Sequence, residues 1–161
     1  MSEVNGSTAA PRPDPSAQRF EITTSRQFTS WLAESGASIA LTTYQSGKVI
    51  LSGSNAETKR LSIFERTLER PMGMAFDGRR LAVATLGQIV TFVNAMEAGA
   101  TTSEGYDAPF VPQMAHYTAD LDAHDLAYDA NGRLIFANTL FSCLAAVSDT
   151  HSFRPLWQPP F

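Results

Sequence analysis

From residue 37 onward, apolar and polar positions alternate in short runs with the two-residue period of β-strands. Ser38 to Thr43, Lys48 to Ser52 and Arg60 to Phe64 form a first set, with Gln45-Ser46-Gly47 as one turn and Gly53-Ser54-Asn55 opening the next. Met72 to Phe76, Arg80 to Thr85 and Gln88 to Asn94 form a second set. Ala123 to Tyr128, Arg133 to Asn138 and Cys143 to Ser148 form a third, with Phe153 to Trp157 as a fourth strand. The pattern predicts three antiparallel sheets of three or four strands. Before them the period changes: Phe28, Trp31 and Leu32 share one face at helical spacing between Ser25 and Ser35. Thr24 or Ser25 is suited to cap the start of that helix, and Gly36 to take the left-handed conformation past its end. A single amphipathic helix of this kind covers an edge or end of a sheet structure.

Residues 1 to 18 carry Pro11, Pro13 and Pro15 among Ser, Ala and Gly, and offer almost nothing apolar to bury. They read as a disordered tail. The expected organisation is therefore a tail over 1–18, a helix segment over 19–36 and a β-domain over 37–161. Between the second and third sets of strands, the stretch from Ala95 to Asp122 is long and polar and contains Gly99, Gly105, Pro109 and Pro112. It reads as a loop, of a length that inside a compact domain is functional or disordered.

Two stretches repeat one unit. Gly73-Met74-Ala75-Phe76-Asp77-Gly78-Arg79-Arg80-Leu81-Ala82-Val83-Ala84-Thr85 and Asp125-Leu126-Ala127-Tyr128-Asp129-Ala130-Asn131-Gly132-Arg133-Leu134-Ile135-Phe136-Ala137-Asn138 each run from a short apolar segment to Asp, through a Gly-containing turn, into a second apolar segment. They lie about fifty residues apart, the spacing of β-propeller blades and other stacked repeats. The fold class expected is all-β, a partial β-propeller of about three antiparallel blades. A closed propeller needs roughly four to eight blades. The chain thus reads as about half of one, a fragment or truncated product whose last blade exposes an edge and an apolar face suited to self-association.

Composition narrows the function classes. The 161 residues are 43% apolar, enough for one globular domain. The formal net charge is −4, with Lys and Arg scattered singly. No basic stripe exists to neutralise phosphates or anionic lipids, which argues against nucleic acid and membrane as partners. No apolar run approaches the roughly 20 residues of a spanning helix, and the first residues lack the charge and apolar centre of a signal peptide. The expected location is cytoplasmic, in agreement with a single cysteine, Cys143.

Several segments carry a family resemblance. Ala40-Leu41-Thr42-Thr43-Tyr44-Gln45 with Gly47-Lys48, Arg70-Pro71-Met72-Gly73, Gly105-Tyr106-Asp107, Asp120-Leu121-Asp122 with His124-Asp125-Leu126-Ala127, Asn138-Thr139-Leu140-Phe141-Ser142-Cys143-Leu144, and Ser152-Phe153 with Pro155-Leu156-Trp157 are the segments concerned. Over about Phe28 to Phe161 the chain resembles the amino-terminal half of an uncharacterised bacterial family of conserved hypothetical proteins, a domain of unknown function. The resemblance implies a propeller-like pattern, a second half of similar length, and no assigned activity, with some members in or near tetratricopeptide-repeat proteins. Leu86-Gly87-Gln88 departs from the bulkier, more basic stretch expected there.

Candidate chemistry gathers where inner strands begin, the ends that line the mouth or channel of a propeller. Asp120, Asp122, His124 and Asp125, with His116 slightly upstream, form the densest polar cluster. Asp122 and His124 are the candidate ligands of a divalent metal, and an Asp–His pair also serves acid–base chemistry. Strand alternation sets His124 and Asp125 on opposite faces, and no spacing matches a recognised metal motif. His124-Asp125 stands where the other copy of the unit has Met72-Gly73, so the repeat itself does not require a polar pair. His124, Asp125, Asn138, Thr139 and Arg70 are the candidate ligand-binding residues. For each there is a plain structural reading: solvated loop carboxylates, hairpin residues bonding their own backbone, and, for Arg66 and Arg70 around Glu65 and Glu69, a charged connector rather than an anion clamp. Cys143 reads as a small buried residue rather than a nucleophile. Tyr106 and Trp157 are aromatic candidates for stacking a ligand, with core or interblade packing the stronger reading for Trp157.

The function expected is a scaffold that binds a protein, peptide or glycan on one rim. The alternative is a metal-assisted hydrolase of the lactonase kind with its site at inner-strand starts, and a second alternative is a nonfunctional truncated product. No cofactor is expected on the first reading, and a divalent metal is on the enzymatic one.

Overall fold

The computed structural model describes residues 21–55 and 57–160. The tail expected over 1–18 lies outside them. One helix, α1 (Phe28–Ser35), precedes eleven strands among the described residues: β1 (Ile39–Thr43), β2 (Lys48–Ser54), β3 (Leu61–Thr67), β4 (Met74–Phe76), β5 (Arg80–Ala84), β6 (Gln88–Asn94), β7 (Phe110–Tyr117), β8 (Leu126–Tyr128), β9 (Leu134–Asn138), β10 (Cys143–Ala146) and β11 (Arg154–Trp157). They form three antiparallel meanders, β1-β2-β3, β4-β5-β6-β7 and β8-β9-β10-β11, each strand pairing with its chain neighbours. The chain is all-β apart from α1. No helix among the described residues is long and apolar enough to cross a membrane.

The three sheets stack through two cores. Leu81 and Val83 of β5 pack with Val49 of β2 and Phe92 of β6, joined by Leu51, Met74 and Phe110. Ala82 and Ala84, the intervening residues of the same strand, belong to the other core with Ile89, Leu126, Leu134, Phe136, Cys143 and Ala145. Period-two alternation thus turns β5 into a strand buried on both faces, and its four residues Leu81 to Ala84 are at most 4% exposed. Sheet β4–β7 is the middle layer, with β1–β3 on one side and β8–β11 on the other.

On β2, Val49 and Leu51 face the middle sheet, so alternation turns Ile50 and Ser52, both buried, to the far side, where α1 packs on β2. Leu32 is the one buried side chain of α1. The helix is shorter than its sequence pattern. It starts at Phe28 with no side-chain cap from Gln27, and neither Thr24 nor Ser25 caps it. Ser25 contributes only its carbonyl, which accepts the Phe28 N–H at 3.2 Å. Trp31, expected on the buried face, is exposed and stacks on Phe28 at 6.4 Å instead. Gly36 does take the left-handed conformation, φ 60°, with its N–H on Leu32 O.

The largest correction concerns the stretch from Ala95 to Asp122. It is not all loop: β7 occupies residues 110 to 117 and completes the middle sheet. Pro112 argues against a strand because it has no N–H for the ladder. β7 is an edge strand, where that loss is tolerated, and the register shifts between Thr91 and Phe92, opposite Met114 and Pro112. The expected Arg60 to Phe64 strand also runs further, to Thr67.

The β4–β5 and β8–β9 hairpins close alike. Asp77 Oδ1 accepts the N–H groups of Arg79 and Arg80 and its Oδ2 the Arg80 Nε–H; Asp129 Oδ1 accepts those of Asn131 and Arg133 and its Oδ2 the Arg133 Nε–H. Arg80 also spans the two sheets, donating to Gly132 O at 3.0 Å and lying 4.5 Å from the Tyr128 ring centre. Burial alone would push the Asp77 carboxyl up, but the N–H groups of Arg80 and Arg79 and the Arg80 guanidinium together hold it below its ordinary 3.8. Asp129 is held down by the Arg133 N–H first, against a smaller push upward from burial, with Asn131 and the Arg133 guanidinium adding to the fall. A carboxyl with a lowered folded pKa stabilises the fold above its unfolded value and loses that contribution as pH falls through the folded one. Melting curves from about pH 5 down to about pH 2.5 are therefore expected to fall more steeply for the wild type than for the Asp77→Asn/Asp129→Asn double variant; parallel curves would show that these turns do not couple to pH.

Candidate functional site

Two connectors build the site. Residues 68–73 lead from β3 to β4, and residues 118–125 from β7 to β8. Both are tied to the β5–β6 turn: Leu86 N–H donates to Glu69 O and Thr118 N–H to Gly87 O. They are tied to each other where Gly73 N–H donates to Ala123 O, at 3.2 Å, and to the first sheet where Thr42 Oγ1 donates to Met72 O, at 2.7 Å. The first strands of the three sheets are thereby linked side by side, and the connectors meet at one end of them.

At that meeting point stand Tyr44, Arg70, Asp120, Asp122 and His124. Arg70 Nη2 donates to Asp120 Oδ1 at 2.9 Å and to Asp122 Oδ1 at 3.1 Å. Asp122 Oδ2 lies 3.1 Å from His124 Nε2. Tyr44, in the β1–β2 turn, stacks on the His124 ring at 6.2 Å and 18°, and the Arg70 guanidinium lies 5.4 Å from its centre. Arg70 and Asp122 are mostly covered, while Tyr44, Asp120 and His124 are about half exposed. An open cleft of about 430 Å³, lined among others by Glu69, Gln88, Tyr117, Ala119 and Asp120, adjoins the cluster through Asp120.

The backbone beneath the cluster is strained. Arg70 (φ 49°), Ala119 (φ 58°) and Asp122 (φ 49°) are left-handed, with only Lys59 and Ser142 elsewhere among the described non-glycine residues. Such conformations cost about 1 kcal/mol or more each. Partly exposed ion pairs return at most about 1 kcal/mol apiece. The cluster therefore adds little net stability, and the connector bonds hold it in place. Backbone strain of this kind clusters at active sites, ligand clamps and switch regions.

Among the residues singled out from sequence, the structure brings together Arg70, Asp122 and His124, with Asp120. Asp125 is exposed at the start of β8, its carbonyl accepting the Ala137 N–H. Asn138 is buried at the end of β9; its Oδ1 accepts the Phe141 N–H, and its Nδ2 is without a partner among the described residues. Thr139 is exposed in that same turn, where its carbonyl accepts the Ser142 N–H. His116 sits on β7, 3.9 Å from Asp149. Arg66 lies 5.4 Å from the Phe92 ring centre and 5.9 Å from that of Phe64. Cys143 is buried in the core and burial pushes its thiol pKa up, the opposite of an activated nucleophile. Trp157, expected to pack inside, is exposed. Tyr44 was not legible as a site residue: it reaches the cluster only because β1 lies beside the first connector.

Among the described residues no group of three or more His, Cys, Asp or Glu side chains is arranged to hold a metal ion. Both oxygens of Asp122 are engaged, Oδ1 by Arg70 and Oδ2 by His124.

The architecture and this rim define an all-β protein of three stacked antiparallel meanders carrying a charged, aromatic cluster where their first strands meet. The chain belongs to the family described as a domain of unknown function (DUF4915), whose model matches residues 26–161. That match takes in α1, all three sheets and every residue of the cluster. No curated protein and no solved structure matches the chain.

Proposed function

We propose that the chain is a propeller-type scaffold, and that it binds a protein, peptide or glycan partner at the rim formed by Tyr44, Arg70, Asp120, Asp122 and His124. The observation that carries this reading is the strained, pre-organised set of planar side chains described above, half of it open to solvent and beside a cleft. A glycan suits it best of the three: the Tyr44 and His124 rings offer a stacking platform, and the Asp120 carboxylate presents acceptors for adjacent hydroxyls. The four-stranded meanders packed face to face, with first strands adjacent, support the propeller assignment. The hydrolase alternative uses the Asp122–His124 pair, but a divalent ion there competes with Arg70 for the same carboxylate oxygens.

Binding to immobilised glycan and peptide panels tests the reading. Retention on at least one glycan class is expected, weakened tenfold or more in Tyr44→Ala and unchanged in Trp31→Ala, whose indole lies on α1. Retention on neither panel, or retention indifferent to Tyr44→Ala, would overturn it.

A further inference from the structure

The rim cluster continues into the cleft beside it. Asp120 belongs to both, since Arg70 holds its Oδ1 at 2.9 Å and it also lines the cleft of about 430 Å³, a volume within the roughly 300–1,000 Å³ of small-molecule sites. Gln88 and Tyr117 pair across β6 and β7, as do Val90 and Ala115 two residues on, so Gln88, Val90 and Tyr117 leave the middle sheet on one face. Leu68 and Val90, which also line the cleft, pack on the core shared with the first sheet. The cleft therefore lies at the seam between these two sheets, on the rim that carries the cluster. Tyr117 is the most exposed large hydrophobic side chain among the described residues, at 77%, although cores form on both faces of its sheet. Neither the Glu69 carboxylate nor the Gln88 amide has a partner among the described residues. One aromatic ring and two open polar groups thus surround the cleft without being used by the fold.

We infer that the cleft is a second subsite, and that the rim takes an extended oligosaccharide without acidic groups rather than a single sugar; this rests on the glycan reading above. The Tyr44–His124 platform stands where first strands meet, whereas Tyr117 stands on β7, the outermost strand of the middle sheet. Three strand spacings, about 14 Å in all, separate β4 from β7 in that sheet. One pyranose ring cannot lie on both aromatic surfaces, and a chain of several can. Asp120 offers its acceptors at the junction, the Gln88 amide both donates and accepts, and Glu69 accepts from further hydroxyls. Charge narrows the class. The lining holds two carboxylates and no Lys, Arg or His, so a uronate, sulfate or phosphate group there meets like charge with no counter-ion.

Isothermal titration calorimetry of the full chain with cello-, malto- and chito-oligosaccharides, from monosaccharide to hexasaccharide, tests this. Affinity is expected to rise tenfold or more between monosaccharide and tetrasaccharide in at least one series. Tyr117→Ala, or Gln88→Ala should the first fail to fold, is expected to cancel that rise, while Tyr44→Ala lowers affinity at every length. Oligogalacturonides are expected to show no rise. No binding in any series, an affinity independent of length, a rise indifferent to both Tyr117→Ala and Gln88→Ala, a rise confined to oligogalacturonides, or tighter binding of tetralysine than of any saccharide would overturn the inference. Where Tyr44→Ala still weakens saccharide binding, only the second subsite falls; where it does not, the rim reading falls with it.

Discussion

Phe136→Ala is expected to destabilise the protein by about 4 kcal/mol and to lower its melting temperature by about 10 °C. Phe136 is 2% exposed and sits at the centre of β9, between Leu126 on β8 and Ala145 on β10. Around it Ala75, Ala82, Ala84, Ala123 and Ala145 have side chains too short to swing into a vacated ring volume, and the longer Ile89, Leu126 and Leu134 are carried on paired strands. The sheets are held by their ladders, so the cavity stays open and its full cost is felt. Against a total stability of about 5–15 kcal/mol for a domain, one such change approaches unfolding. Tyr117→Ala provides the contrast. Tyr117 is 77% exposed, and its removal is expected to cost no more than about 0.5 kcal/mol. Equal losses in the two variants, measured by denaturant titration, would mean that the third sheet does not rely on this core.

Gly73→Ala is expected to cost about 3 kcal/mol and to abolish ligand retention as well. A Cβ at Gly73 meets Leu126 Cδ1 at 2.6 Å, Asp125 N at 2.8 Å and His124 C at 2.8 Å. Leucine can change rotamer, but two of the three obstacles are backbone, so relief requires the third sheet to withdraw from the middle one. That movement carries Asp122 and His124 away from Arg70 and Tyr44. Gly87→Ala separates this effect from a general intolerance of added methyls. Its Cβ meets nothing within 4 Å, and the change is expected to be neutral or slightly stabilising through the unfolded chain. A Gly73→Ala variant with wild-type stability and retention would show that the close approach of the two sheets is dispensable.

Much of this fold was legible because its signals are local. Asp77 and Asp129 announce their hairpins through the turn chemistry that the bonds then execute, and the apolar alternation of Leu81 to Ala84 is the two-faced burial of β5. β7 escaped because Pro109, Pro112 and the polar residues around them are local breakers, whereas the bulge that accommodates Pro112 belongs to the pairing with β6. Trp31 and Trp157 were misplaced for a related reason: an aromatic ring marks a place to bury only when a partner face stands opposite, and none does among the described residues. Within the site, Arg70, Asp122 and His124 could be chosen as polar residues at first-strand starts. Their mutual pairing could not, because it depends on left-handed backbone at Arg70 and Asp122, which neither residue type advertises. Asn138 and Thr139 share the same residue chemistry but serve a tight turn, a distinction that only the β9–β10 geometry draws.

The helix lying over the first sheet gives the stack a direction. Strand contacts run almost entirely between chain neighbours, with β4 and β5 touching β8 across the second core, and such local topologies form quickly. In chain order α1 comes first and packs on β2, and each later meander stacks on the one before it. A substitution that unseats α1 or β2 is therefore expected to weaken the first core, to which the middle sheet commits Leu81, Val83 and Phe92.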